Sequence, residues 1–428
     1  MLRNSPTLLL LLLGGLLLPA VAFADGGHGT APAIWLVLAA VLLFAKLGDE
    51  LAVRMRQPPV LGELVAGILL GNLDLFGVTA FEAVSASPVF AFLAELGVVL
   101  LLFEVGLEST MAEMRAVAGA SGLVALVGVV LPMALGYGVS SLLLPEAPAI
   151  LHLFVAATLC ATSIGISARV FADLRALQRP EAQIVLGAAV LDDVLGLLVL
   201  AVASAVAVQG GAPEAAGIAK IIGVAGGFLA GAWLIGRFVM PGVFRTAARL
   251  QTEGVLAALA IGFALLLAGA SAAAGLAAIV GAFAAGVLLD RVHVAPFGMD
   301  AKHDLTGLVR PVVAVLSPVF FVRTGMTVDL GGASASVLWL AVALFVVAVI
   351  GKVAAGYAAR GKGLDRLLIG IGMVPRGEVG LIFADTGARI VIAGQPLLGP
   401  DVYMALVLMV LATTVVTPPW LSARLRRG

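Results

Sequence analysis

The chain has 428 residues and a single cysteine, Cys160, which excludes a disulfide scaffold and most thiolate metal sites. Histidine is also scarce. The four present, His28, His152, His293 and His303, fall in or near loops and are too scattered to ligate a metal together. Charged residues make up only 12%, about half the share of an ordinary soluble domain. The 25 basic and 25 acidic side chains cancel, so no excess of positive charge points to nucleic acid. Long acidic or Ser-rich linkers are missing too. A soluble enzyme, a disordered chain and a nucleic-acid binder are therefore excluded, and no cofactor or metal is implied.

What the chain has in quantity is apolar side chains, 62% of the total, enough for about 13 spans at ~20 residues each. Its 52 glycines are a level that membrane helices tolerate. Residues 1–24 combine a basic start (Arg3), an apolar run from Leu8 to Leu18 and a small-x-small ending, Ala22-Phe23-Ala24, which reads as a cleavable signal peptide. The mature chain, 25–428, then forms one membrane transporter domain whose amino end is left outside. Hydrophobic runs follow near 32–53, 59–77, 88–107, 117–144, 149–171, 181–208, 218–241, 254–270, 274–289, 308–328, 334–359, 366–393 and 401–423. An odd number of spans puts the carboxyl end inside. With that topology 18 of the 25 Lys and Arg lie on the cytoplasmic side and two, Lys220 and Arg389, outside, the bias that orients membrane helices. The expectation is an all-α polytopic protein with its carboxyl end in the cytoplasm and no soluble regulatory domain.

A faint repeat is visible. Leu101-Leu102-Phe103-Glu104-Val105-Gly106-Leu107 closes the third run and Phe320-Phe321-Val322-Arg323-Thr324-Gly325-Met326 the tenth. Seven spans is an odd offset, so the repeat would be inverted, as in many secondary transporters.

Ionisable groups deep in a membrane are costly and mark ion or proton paths. Asp192 and Asp193 lie in the sixth run, about two residues or ~3 Å from its centre. Neighbours on a helix point about 100° apart, so one carboxylate can face a cavity while the other turns to a partner helix. Their oxygens suit protons and a small hard cation in competition. The fifth run is interrupted by Ala161-Thr162-Ser163-Ile164-Gly165 and the twelfth by Pro375-Arg376-Gly377-Glu378, again seven spans apart. Helix breaks at that depth expose carbonyls and half-helix ends, the usual setting of a transport site. Thr162 and Ser163 fit either that site or ordinary interhelical bonding. Arg376 and Glu378 fit a transport role or an ion pair that holds the break. Lys352 sits ~9 Å to the cytoplasmic side of its run's centre on a stem of roughly 6 Å, so it reaches Asp192 only with helix tilt and otherwise snorkels to the surface. Glu63, Glu95 and Glu104 suit a pathway or helix contacts, and Arg323 an interface anchor.

Together these residues resemble the monovalent cation/proton antiporter superfamily, in particular bacterial electrogenic sodium/proton antiporters of the branch that includes the potassium-efflux systems. The resemblance runs from about Lys46 to Arg424 on Pro58-Pro59-Val60-Leu61-Gly62-Glu63-Leu64-Val65-Ala66-Gly67-Ile68, Leu93-Ala94-Glu95-Leu96-Gly97, Phe103-Glu104-Val105-Gly106-Leu107-Glu108, Ala161-Thr162-Ser163-Ile164-Gly165-Ile166-Ser167-Ala168-Arg169, Asp192-Asp193, Gly351-Lys352 and Pro375-Arg376-Gly377-Glu378. It implies thirteen helices in two inverted repeats with two broken crossing helices, and a homodimer in the bacterial inner membrane. It implies a dimerisation scaffold (about 32–107 and 254–328), a linker helix (about 218–241) and a moving core (about 117–208 and 334–423). It further implies that Asp193 binds the cation and that Asp192 pairs with Lys352. The expected activity is electrogenic, elevator-like exchange of Na+ or Li+ for protons. The alternatives are a K+/H+ antiporter on the same scaffold and a proton-coupled organic solute carrier; an intramembrane aspartyl protease is disfavoured because its two Asp come from different helices.

Overall fold

In a computed structural model of the chain the described residues are 31–55, 57–73, 81, 87–108, 111–209, 215–250, 252–289, 302–326, 334–392 and 395–426. The signal-like segment 1–24 lies outside them. The protein is almost wholly helical: α1 (Ala31–Arg54), α2 (Pro59–Gly71), α3 (Pro88–Leu107), α4 (Met111–Leu143), α5 (Ala149–Cys160), α6 (Ile164–Asp173), α7 (Pro180–Gln209), α8 (Ala215–Leu234), α9 (Met240–Ala247), α10 (Val255–Ala273), α11 (Ala278–Leu288), α12 (Lys302–Met326), α13 (Ala335–Gly356), α14 (Arg366–Gly372), α15 (Gly377–Arg389) and α16 (Pro400–Leu425). Among the described residues nine helical segments are long and apolar enough to cross a membrane, and this is a multi-pass membrane protein. Helices α2, α11 and most of α15 are apolar but shorter.

Two departures from the hydrophobic pattern are local. The seventh run does not stop at its end but passes through one π-helical turn, Ile235–Val239, into α9. The twelfth run ends as helix at Arg389, and Val391–Ile392 pairs antiparallel with Gln395–Pro396. β-Branched Val391 and Ile392 favour an extended backbone, and Pro396 cannot continue a helix.

The chain divides into two compact units, Met1–Val98 with Ala314–Gly332, and Val99–Val313 with Ala333–Gly428. Close glycine contacts hold each unit, and they follow one register. In the first unit a Cβ on Gly62 would lie 2.0 Å from the Gly48 carbonyl oxygen, one on Gly67 2.1 Å from that of Val322, and one on Gly325 2.3 Å from that of Leu64. In the second unit the matching distances are 2.0 Å from Gly281 to Leu267, 2.3 Å from Gly286 to Phe103 and 2.4 Å from Gly106 to Phe283. Every residue of the first set has its counterpart 219 positions away in the second. The faint sequence match of 101–107 with 320–326 has the same offset. Bare backbone on bare backbone is the device by which membrane helices approach closely without a hydrophobic drive between them, and here it is built twice from the two inverted repeats.

Candidate functional site

Both predicted breaks are present, and they meet. Helix α5 stops at Cys160, Ala161 and Ser163 are extended (ψ 145° and 108°), and the chain restarts as α6. Helix α14 stops at Gly372, and α15 begins only after Val374, Pro375 and Arg376. The Ser163 N–H donates to the Pro375 carbonyl over 2.7 Å, so each break satisfies a backbone group of the other. Gly377 has φ +46°, and a Cβ there would strike the Ser163 side chain 2.6 Å away, so glycine is needed for conformation and for space. The crossing is tied further by Ser167 Oγ donating to the Gly372 carbonyl (2.5 Å) and by the Gly377 N–H donating to Thr414 Oγ1 on α16 (3.3 Å).

Arg376 is fully buried inside this crossing. Its guanidinium donates to the carbonyls of Val374, Leu159 (2.9 Å) and Ala348 (3.0 Å). Leu159 lies in the last turn of α5 and Val374 just beyond α14, where carbonyls have lost their helical partners and the half-helix dipoles end negative. The cation therefore neutralises two broken ends at once. Its Nε has no partner in hydrogen-bond geometry. The side chain of Glu378, expected to pair with it, lies outside the described residues.

Asp192 and Lys352 face each other beside the crossing, at 2% and 0% exposure. Lys352 Nζ lies 3.3 Å from Asp192 Oδ2 and 3.4 Å from Oδ1. The ~9 Å offset read from the sequence is overcome by packing. A Cβ on Gly351 would touch Pro132 of α4 at 2.9 Å, so α13 lies against α4 there, and Gly128, one turn away on α4, leaves open the space 3.5 Å from Nζ. Thr162 Oγ1 is buried next to the Asp192 carboxylate but short of hydrogen-bond geometry with any partner.

Asp193 turns elsewhere, as adjacent helix positions must. Partly buried, it accepts the backbone N–H of Ala277, the residue that precedes α11, at Oδ2 over 3.1 Å. The structure thus brings Asp192, Lys352, Thr162 and Arg376 to the crossing, with Ser163 in the break itself and Asp193 on the adjoining face of α7. Ser167, part of the motif at 161–169, joins them, and Thr414, Gly128 and Ala277 also belong to the arrangement and are not evident from sequence. A Thr in an apolar run reads as interhelical glue, and a backbone N–H has no sequence signal at all.

Away from this centre, Asp365 ties three elements. Its N–H donates to Glu181 at the start of α7 (3.0 Å), its carboxylate caps α14 through the Leu368 N–H (3.1 Å), and Arg424 of α16 donates to both its oxygens (2.7 and 3.2 Å). Partial burial works against its charge, but the bonds from Arg424 and Leu368 outweigh that and hold the carboxyl below the usual carboxylate range.

Among the described residues no three His, Cys, Asp or Glu side chains converge on a metal position. The oxygen groups available are carboxylates and the Thr162 hydroxyl, with two fixed cations close by. That set suits a small hard monovalent ion passing through rather than a resident transition metal.

Comparison with known proteins gives the same picture. Residues 34–427 match the family described as "Sodium/hydrogen exchanger, transmembrane". The chain is 39% identical over 430 residues to the high-affinity Na+/H+ antiporter NhaS3 of Synechocystis sp., covering 91% of this chain and 90% of the relative. It is 36% identical over 394 residues to the Na+/H+-K+ antiporter GerN of Bacillus cereus, covering 90% and 94%. The solved structure of the sodium proton antiporter MjNhaP1 from Methanocaldococcus jannaschii at pH 8 superposes with a TM-score of 0.64 over 95% of this chain and 97% of that one; at 16% identity this likeness speaks for the fold alone.

Proposed function

The chain belongs to the sodium/hydrogen exchanger family, within the monovalent cation/proton antiporters, and from that premise we propose that it exchanges cytoplasmic Na+ for external protons. It is a transporter, as its relatives are, and not an enzyme. The observation that carries the reading is the buried Lys352–Asp192 pair at the crossing of two broken helices, with a second carboxylate, Asp193, next in sequence. Two buried charges are retained at a cost in desolvation, and a transport centre supplies a reason for that cost.

In this mechanism Asp193 is the carboxylate that protons and Na+ occupy in turn. Thr162 Oγ1, buried without a partner, adds a neutral oxygen ligand, and Ser163 and Pro375 hold the half-helix ends in place. Arg376 keeps the freed carbonyls neutralised, so that the crossing does not itself trap cations. When Na+ enters, it draws Asp192 away from Lys352, and Lys352 releases its proton; when the ion leaves, the pair re-forms. Each cycle then moves a net charge, and Li+ follows the same route. Alternating access is elevator-like, with a core of about 117–208 and 334–423 moving against a scaffold of about 32–107 and 254–328, a linker helix of about 218–241 between them, in a homodimer in the bacterial inner membrane. Residues 1–24 serve as a signal peptide, the mature amino end lies outside and the carboxyl end inside, and the physiological output is pH and sodium homeostasis.

A K+/H+ reading on the same scaffold draws on GerN, whose name includes K+. Everted vesicles loaded with a pH-sensitive dye separate the two. Dequenching on addition of Na+ or Li+ is expected; a response to K+ alone moves the assignment to potassium, and a response only to an organic anion ends the cation reading.

A further inference from the structure

The hydrogen bond from Ala277 to Asp193 breaks the symmetry of the repeats. Helix α11 follows Ala277, with φ −64° and ψ 139°, and α2 follows Pro58, with φ −61° and ψ 141°. Positions 58 and 277 are 219 apart, the register of the glycine contacts. The two caps therefore have one backbone conformation and occupy equivalent places. In the first repeat the cap residue is proline and has no N–H to offer. In the second the N–H exists and is spent on Asp193 Oδ2.

The donor is also fixed in direction. Ser271 Oγ donates to the Ala277 carbonyl (2.9 Å), and the Leu276 N–H donates to the Ser271 carbonyl (3.0 Å), so the segment ahead of α11 is held from its other side. An N–H at the start of a helix favours an ionised carboxylate both through a charge-assisted hydrogen bond and through the positive end of the dipole. The same two features oppose a cation at that spot. The contact thus distinguishes an empty Asp193 from one that holds Na+.

We propose that the Ala277 N–H is a positioning donor that latches the empty Asp193 carboxylate to the start of α11 and lets go when the cation occupies it. This rests on Asp193 being the exchanging ligand. The latch matters for coupling: if the carrier crosses unloaded, Na+ and protons each run down their own gradients without being exchanged for one another. Holding only the empty form in place suppresses that slip while leaving the loaded forms free.

Ala277→Pro tests this directly. It deletes the donor, fits the observed φ, and installs the residue that the chain already uses at Pro58. Ala277→Gly retains the N–H and serves as the control. In proteoliposomes at zero voltage, set by valinomycin with equal K+, Na+ efflux and proton influx are measured side by side. The Na+ leaving per proton entering is expected to rise severalfold in Ala277→Pro and to remain at the parent value in Ala277→Gly. The apparent KM for Na+ falls in Ala277→Pro alone, because the ion no longer displaces a donor. An Ala277→Pro protein that exchanges with the parent's ratio and KM overturns the proposal. Should it fail to assemble, hydrogen exchange on the unsubstituted protein decides. The Ala277 amide is expected to exchange faster in saturating Na+ than in choline, a response that Asp193→Ala abolishes; equal protection in both salts overturns the latch. Failure of the exchange reading itself looks different, since the parent would then move no protons in response to any cation.

Discussion

Lys352→Gln isolates the charge carried per cycle. On the proposed mechanism, the proton-loaded state has Asp192 ionised, Asp193 protonated and Lys352 charged, and the three sum to zero. In the cation-loaded state both carboxylates are ionised, one cation is bound and Lys352 is neutral, leaving one negative charge. One elementary charge moving across 100 mV corresponds to about 2.3 kcal/mol, so the Na+ gradient that the parent sustains responds to that voltage by a factor of about 50. With Gln at 352 both states carry one negative charge, and the voltage term vanishes. Removing one partner of a pair buried at 0% and 1% side-chain exposure also costs stability, about 3–5 kcal/mol, because Asp192 is left charged and alone. The double variant Lys352→Gln, Asp192→Asn removes both charges and is expected to regain most of that loss while remaining electroneutral. The assay is Na+ accumulation in proteoliposomes with valinomycin-imposed potentials of either sign. Transport by Lys352→Gln that stays as voltage-sensitive as the parent would show that Lys352 is a structural lysine and that charge moves elsewhere.

Asp193→Asn preserves size and removes charge, and it is expected to abolish cation-dependent proton flux while the protein stays folded in size-exclusion chromatography; flux at half the parent rate or above would take Asp193 out of the site. Gly106→Ala places a Cβ 2.4 Å from the Phe283 carbonyl oxygen and is expected to cost about 1–3 kcal/mol in detergent melts, whereas Gly119→Ala, with nothing within 4 Å, leaves the melt unchanged or slightly raised. Asp365→Ala removes the cap of α14, a loss of about 1 kcal/mol, along with the tie to α16. Because the folded-state carboxyl of Asp365 titrates below its ordinary range, its contribution is present above that range and fades as pH falls through the lowered value, so the parent and Asp365→Ala melts should converge only in acid. Reporter fusions after residue 30 and after Arg426 are expected to report opposite sides of the membrane, and finding them on one side would refute the odd span count.

Much of this was legible from residues because membranes punish exceptions. Hydrophobic runs became helices, since no other spanning structure satisfies the backbone in lipid except a closed barrel. The breaks at 161–163 and 374–376 were announced by polar, Pro and Gly residues in otherwise apolar segments, and Asp192 and Asp193 by being acidic at all. What stayed hidden depends on distance between runs rather than on any one run. The Lys352–Asp192 contact needed α13 to lie against α4, which turns on Gly351 meeting Pro132 and on Gly128 leaving room. Arg376 suggested a carboxylate partner, whereas its described partners are carbonyls belonging to three separate segments. Such partners are invisible to residue type, because every residue carries one.

The repeats separate structural from functional demand. At three of the close helix contacts both copies carry glycine: Gly62 with Gly281, Gly67 with Gly286, Gly106 with Gly325. Where the residues differ within that register, Glu63 stands against Ala282, Glu104 against Arg323 and Pro58 against Ala277. A fold built from two equivalent halves requires symmetry of backbone approach but not of charge, and a single ion site requires that charge be unequal. At these three pairs the colliding atom is backbone, which cannot rotate away, and glycine stands in both copies, whereas Gly48, equally close to the Gly62 backbone, has Leu267 as its counterpart. The polar positions differ between the copies even where, as at Glu63, the side chain is fully buried. On the proposed reading, the Ala277 N–H, which the equivalent Pro58 cannot supply, serves the carboxylate of Asp193.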